Sequence, residues 1–235
     1  MSEISKNWKR IQERIAEAAI NSGRNFNEIK IVAVSKTFPA EIIEEAVEAG
    51  VTIIGENRIQ EAWQKYQRLG NIASWHLIGH LQTNKVKRAI QIFDVIHSVD
   101  SLHLAEEISR RCEQRNKDVE ILLEVKTSDE STKFGISSNQ ALELARKVVT
   151  LPHLRLTGLM TIGKFTSNEK EVRECFQMLR QVKDQINSNI NSHKPIHHLS
   201  MGMSHDFEWA IEEGATIVRI GTAIFGQRQP KQSAF

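Results

Sequence analysis

Short apolar runs alternate along the chain with longer stretches in which apolar residues recur every three or four positions. The first pattern predicts buried parallel strands and the second amphipathic helices. Trp8, Ile11, Ile15, Ala18 and Ala19 fall on one stripe and predict an opening helix that Gly23 can terminate. The run over 29–37 then predicts a first strand, and Pro39 suits the first turn of a helix with Ile42, Ile43, Ala46 and Val47 on its apolar face. The alternation continues with strands over 51–55, 75–79, 94–99, 119–125, 154–160, 196–200 and 215–220. Helices over 56–69, 85–92, 102–115, 141–149, 172–190 and 207–213 separate them.

Eight apolar strands alternating with helices, with no strand doublets, leave a closed (β/α)8 TIM barrel or an open doubly wound sheet. The count of eight favours the barrel. The segment 46–55 (AVEAGVTIIG) is echoed by 210–221 (AIEEGATIVRIG), each reading helix, glycine stop, strand and glycine. No Gly/Pro/Ser-rich linker interrupts the middle, so the expectation is one α/β domain over 1–235. The barrel would occupy about 27–226, preceded by an extra N-terminal helix.

Composition narrows the function classes. Hydrophobic residues make up 40% of the chain without any apolar stretch near the length of a membrane span, which predicts a soluble protein with a sizeable core. Residues 1–9 are polar and charged, so no secretory signal is visible. Cys112 and Cys175 lie far apart without metal spacing, as expected of free thiols in a reducing cytoplasm. The 31 basic and 29 acidic residues interleave, giving +2 and no tract suited to nucleic acid. A small-molecule partner is expected instead.

Two places carry candidate chemistry. Lys36 ends the wholly apolar first strand, at the strand end where α/β proteins bind ligands. After the seventh strand, Ser200, Met201, Gly202, Met203 and Ser204 precede a short helix, and after the eighth come Arg219, Gly221 and Thr222. Hydroxyls and glycines at these two loops suit a phosphate, although each segment alone also reads as an ordinary turn. A phosphate site plus a lysine lowered in pKa by burial suggests a phosphorylated carbonyl compound held as a Schiff base. Pyridoxal 5'-phosphate fits both halves. A sugar-phosphate enzyme would explain the two loops but not the lysine.

The segments 33–37 (AVSKT), 55–57 (GEN), 75–85 (WHLIGHLQTNK), 133–135 (KFG), 200–204 (SMGMS) and 219–226 (RIGTAIFG) together resemble the YggS/PROSC family of pyridoxal-phosphate homeostasis proteins, over nearly the whole chain. The resemblance implies a fold-type III barrel like the N-terminal domain of alanine racemase. It implies a cofactor bound to Lys36, contacted at its phosphate by Ser200, Gly202, Ser204, Gly221 and Thr222. Arg219 would face the pyridine nitrogen and keep it unprotonated, and Asn57 and Met201 would line the ring. It also implies a monomer that sequesters the cofactor and hands it to apo-enzymes, in vitamin B6 homeostasis and amino-acid/keto-acid balance, without turnover.

The alternative is a racemase-like enzyme. Racemisation needs a second base, a tyrosine from a further domain in the racemase pattern, and the only tyrosine here is Tyr66 in a predicted helix. One position departs from the family: Lys126 stands where asparagine is usual, and either adds charge to the pocket or carries its ammonium to solvent. His76 and His80, and likewise His197 and His198, are expected to pack and hydrogen-bond rather than bind metal. Glu56 and Glu61 read as solvated helix charges.

Overall fold

The computed structural model describes residues 1–128, 130, 134–190 and 195–227. Helix α1 (Glu3–Asn21) leads into strand β1 (Lys30–Val34). There follow α2 (Ala40–Glu48), β2 (Ile53–Glu56), α3 (Ile59–Leu69), β3 (Ser74–Leu77), α4 (Val86–Ile92), β4 (Val95–Val99), α5 (Leu102–Glu113) and β5 (Val119–Lys126). After them come α6 (Ala141–Val148), β6 (Leu154–Met160), α7 (Glu169–Asn189), β7 (His198–Ser200), α8 (Phe207–Glu212), β8 (Ile217–Ile220) and α9 (Thr222–Phe225). All eight strands pair in parallel with their sequence neighbours, and β8 pairs β1, so the sheet closes into a (β/α)8 barrel.

The strands hydrogen-bond over shorter spans than the apolar runs suggest. β1 ends at Val34, leaving Lys36 in the following turn, and Glu56 is the last residue of β2 rather than the start of a helix. A two-residue strand at Ile136–Ser137, paired with the end of β5, had no signal in the sequence. The internal echo is a repeated helix stop. Gly50 and Gly214 both have φ +102°, and each closes a Schellman turn. Val51 N–H donates to Ala46 C=O at 3.0 Å, and Ala215 N–H to Ala210 C=O at 2.8 Å. The left-handed conformation is what selects glycine at both places.

Helix α9 has only four residues, and α1 covers the flank it leaves open, packing on α8, α9 and α2. Asn7 Nδ2 donates to Ile224 C=O at 3.1 Å, and Arg24 Nη1 donates to the carbonyls of Ile211 (2.9 Å) and Ala215 (2.7 Å). The larger apolar core fills the layer between barrel and helices, centred on Trp75, Phe93, Phe176 and Phe207. Inside the barrel is a smaller plug of Val32, Val34, Val95, Leu122, Met160 and Ile217. The rest of the barrel interior is polar, and that is where the site begins.

Candidate functional site at the C-terminal rim of the barrel

A line of buried side chains crosses the barrel. His76 Nδ1 lies 2.9 Å from His97 Nε2, and His97 Nδ1 lies 2.9 Å from Ser200 Oγ. Arg219 Nη1 donates to Ser200 Oγ at 2.8 Å, and Nη2 donates to Thr161 C=O at 2.9 Å. A guanidinium only donates, so the Ser200 hydroxyl is free to donate its hydrogen bond to His97 Nδ1. His97 then carries its proton on Nε2 and donates to His76 Nδ1. Burial keeps both rings neutral, lowering His76 to about 3 and His97 well below its ordinary value. Burial also lowers Arg219, to about 10, against the pull of Asp206 and Glu124, so it remains a cation at neutral pH.

The rim above holds the other candidates. Lys36, half-buried, sits in the turn that Phe38 N–H closes on Ser35 C=O at 3.1 Å. Gly221 lies against the end of β1, where a Cβ would stand 3.4 Å from Val34 O. Two main-chain donors converge on Ser204 Oγ, the N–H of Gly221 at 3.2 Å and that of Ala223 at 3.4 Å. Thr222 is exposed beside them. Gly202 turns the loop at φ +89°, and a Cβ there would stand 2.5 Å from Ala210 Cβ. Gly202→Ala is expected to cost about 2–4 kcal/mol through backbone strain and overpacking, read from urea unfolding midpoints. Asn57 is half-buried, its main chain packed so closely on Gly79 that a Cβ on the glycine would meet Asn57 O at 2.4 Å.

Several sequence expectations change. Met201 is fully enclosed in the layer between barrel and helices, so its side chain cannot line a ligand's ring. Ser200 is also fully buried, its hydroxyl engaged by His97 and Arg219, which makes it a support for Arg219 rather than a phosphate contact. Lys126 opens with Ser128, Ser137 and Lys164 on a cleft that none of the other candidates lines. His76 and His80 part company: His80 stacks on Phe134, centroids 4.0 Å apart, and lies 3.5 Å from Asp100. His198 bridges Thr216 at 3.2 Å and Lys30 at 3.3 Å. Lys133 lies outside the described residues.

The largest correction concerns Glu56 and Glu61. Glu56 is fully buried and paired with Lys65 at 2.6 Å, and Glu61 pairs with the same ammonium at 2.7 Å. His97, Lys65 and Glu124 went unnoticed in the sequence. Glu124 follows three apolar residues of β5, and a charge within such a run is the signal that would have found it. It is 5% exposed, and its Oε2 is buried without a hydrogen-bond partner among the described residues. Burial raises its pKa to about 7; Asp100 adds to the rise, while Arg219 and Lys126 oppose it.

Comparison with known proteins identifies the family. The family profile for the alanine racemase N-terminal domain matches residues 1–229. A pyridoxal phosphate homeostasis protein of Aquifex aeolicus is 45% identical over 221 residues, 94% of this chain and 96% of its own. One from Escherichia coli K12 is 40% identical over 232 residues, covering 97% and 98%. PipY of Synechococcus elongatus, solved with pyridoxal phosphate bound, superposes with a TM-score of 0.81 at 34% identity, over 92% of this chain and 100% of that one. With a closed barrel, these rim residues and such relatives along nearly its whole length, the chain belongs to the family of pyridoxal phosphate homeostasis proteins.

Proposed function

We propose that this protein binds pyridoxal 5'-phosphate at the C-terminal rim of its barrel and serves intracellular vitamin B6 homeostasis and amino-acid/keto-acid balance. The observation that carries the reading is the convergence at one rim of Lys36, the buried Arg219 cation and the main-chain donors around Ser204. The N–H groups of Gly221 and Ala223 both donate to Ser204 Oγ, and a phosphate oxygen would take them over as that hydroxyl turns to donate to the phosphate. Thr222 adds a hydroxyl, and Gly202 keeps the loop close. Arg219, fixed by Ser200 and Thr161, presents a donor with no proton to give up, which suits an unprotonated pyridine nitrogen. When bound, the cofactor supplies an aldehyde that forms a Schiff base with an amine, and Lys36 is the amine we assign.

We assign it a role in holding and releasing the cofactor rather than in turnover. Tyr66, the single tyrosine, lies in α3 with its hydroxyl donated to Asn71 and its ring against Trp75, near the N-terminal end of β3 and not at the C-terminal rim. Two buried free cysteines agree with a reducing cytoplasm. No helix of the described residues is long and apolar enough to cross a membrane.

The test is intact mass after incubation with pyridoxal phosphate and borohydride reduction. The parent is expected to gain one reduced adduct and Lys36→Ala none. A parent that gains nothing would overturn the reading and turn attention to sugar phosphates. An adduct that persists in Lys36→Ala would move the attachment to another amine. Delivery is tested separately: apo-enzymes that gained activity no faster from the loaded protein than from free cofactor would remove it.

A further inference from the structure

The peptide units on both sides of Lys36 are tied to one buried charge cluster. Ser35 Oγ donates to Glu56 Oε1 at 2.6 Å, and Ser35 C=O accepts from Lys65 Nζ at 2.9 Å. Lys65 pairs in turn with Glu56 and Glu61, and Glu61 Oε1 accepts the N–H of Thr37 at 2.5 Å. Apart from the bonds among themselves, every side-chain hydrogen bond these three residues make among the described residues goes to Ser35 or Thr37.

The turn they hold is an unusual one. Phe38 N–H closes it on Ser35 C=O at 3.1 Å, with Lys36 second and Thr37 third. Thr37 has φ +73°, whereas Lys36 is not among the residues with positive φ. That combination is the type II pattern, whose third position normally takes glycine, and a β-branched residue there is strained. Strain of this kind persists where surrounding contacts over-determine it, and it gathers at functional positions. Burying Lys65 and Glu56 together is likewise a poor source of fold stability compared with an apolar pair. The strain falls on Thr37, just after Lys36, and the buried pair holds Ser35, just before it.

We propose that Glu61, braced by Lys65 and Glu56, is a positioning residue for Lys36. By holding Thr37 in its left-handed conformation it fixes the direction in which the lysine leaves the rim, and so presents the amine ready for the cofactor's aldehyde. This rests on Lys36 being the attachment residue. The plain alternative is that the cluster only fastens α3 to the ends of β1 and β2, with no bearing on the lysine.

Four variants separate the two, with pyridoxal phosphate as the probe. The readouts are the rate and affinity of attachment, followed by visible absorbance, and amide hydrogen exchange at Thr37. Glu61→Ala is expected to slow attachment and weaken affinity by about tenfold or more, since a misdirected reacting group loses its oriented placement. It should also release Thr37 N–H to exchange. Glu61→Gln keeps an acceptor for that N–H and is expected within about threefold of the parent. Thr37→Gly, which takes the turn without strain, should stay within about twofold alone. Added to Glu61→Ala, it should recover most of the lost affinity, a rescue that mere fastening of α3 would not give. Glu61 is only partly buried, and thermal unfolding checks that each variant is folded.

The proposal is overturned if Glu61→Ala attaches the cofactor like the parent, or if Thr37→Gly fails to rescue it. A parent that itself forms no reducible linkage would instead overturn the Lys36 assignment, and this proposal with it.

Discussion

Acidification from pH 6.5 to pH 4 is expected to remove about 5 kcal/mol of stability from the cofactor-free protein. Two buried histidines, His76 and His97, and the half-buried His198 drive it. Burial lowers His76 to about 3 and His198 to about 4, with Lys30 adding to both, and holds His97 well below its ordinary value. In the unfolded chain each would titrate near 6.5. Groups whose folded pKa is depressed contribute stability that is fully present above the unfolded value and is lost as pH falls toward the folded one. Between about pH 6 and 4.5 the unfolded chain therefore binds roughly three protons more than the folded one at these sites.

Two carboxyls work against them. Glu124, raised to about 7 chiefly by burial, contributes more as pH falls from about 7 towards 4.5, and Glu56, also raised chiefly by burial against the pull of Lys65, acts in the same direction. Glu124 offsets about one of the three protons and Glu56 works in the same direction, so the net slope in that window stays below about 2.7 kcal/mol per pH unit. A loss of this size is comparable to the whole stability of a marginal domain. Urea unfolding at intervals of half a pH unit measures it. A flat profile between pH 6.5 and 4 would mean that the histidines are charged in the fold, and the proton assignment along His76, His97 and Ser200 would fall with it.

The barrel was legible because parallel strands buried on both faces leave apolar runs, and eight such runs with no doublets admit few topologies. Strand ends were overread for the same reason. Apolarity continues past the paired residues, as at Val51, which is buried yet precedes β2. The rim glycines and hydroxyls were found through chain-local motifs. What stayed hidden depends on partners far away in sequence. Glu56 looks like a surface charge until Lys65 arrives from the next helix, and His97 looks like a core residue until Ser200 reaches it from 103 residues on. Met201 and Ser200 show the opposite error. Their motif is real, but strand alternation sends one side chain outward into the core and the other into the barrel, against His97 and Arg219.

Glu124→Gln is expected to stabilise the cofactor-free protein at pH 8 by up to about 3 kcal/mol and to give no gain at pH 4. The carboxyl's folded pKa is about 7, against an ordinary value of 4.5. A raised carboxyl contributes stability that is fully present below the unfolded pKa and is lost as pH rises through the folded one. At pH 8 the native protein thus holds an ionised, buried carboxylate whose Oε2 has no hydrogen-bond partner among the described residues. Glutamine fills the same volume without that charge. Removing it should also steepen the loss on acidification between about pH 6 and 4.5, because one of the two opposing carboxyls is gone. Arg219 would lose a neighbour that supports its charge, but it keeps Ser200 and Thr161. Such a cost at the C-terminal end of a barrel strand, beside the one deeply buried arginine among the described residues, is of the kind that gathers at functional sites and supports the proposed rim. Equal stability of parent and Glu124→Gln across pH 5 to 8 would show instead that Glu124 ionises as an ordinary carboxylate, leaving the rim no such charge to discharge.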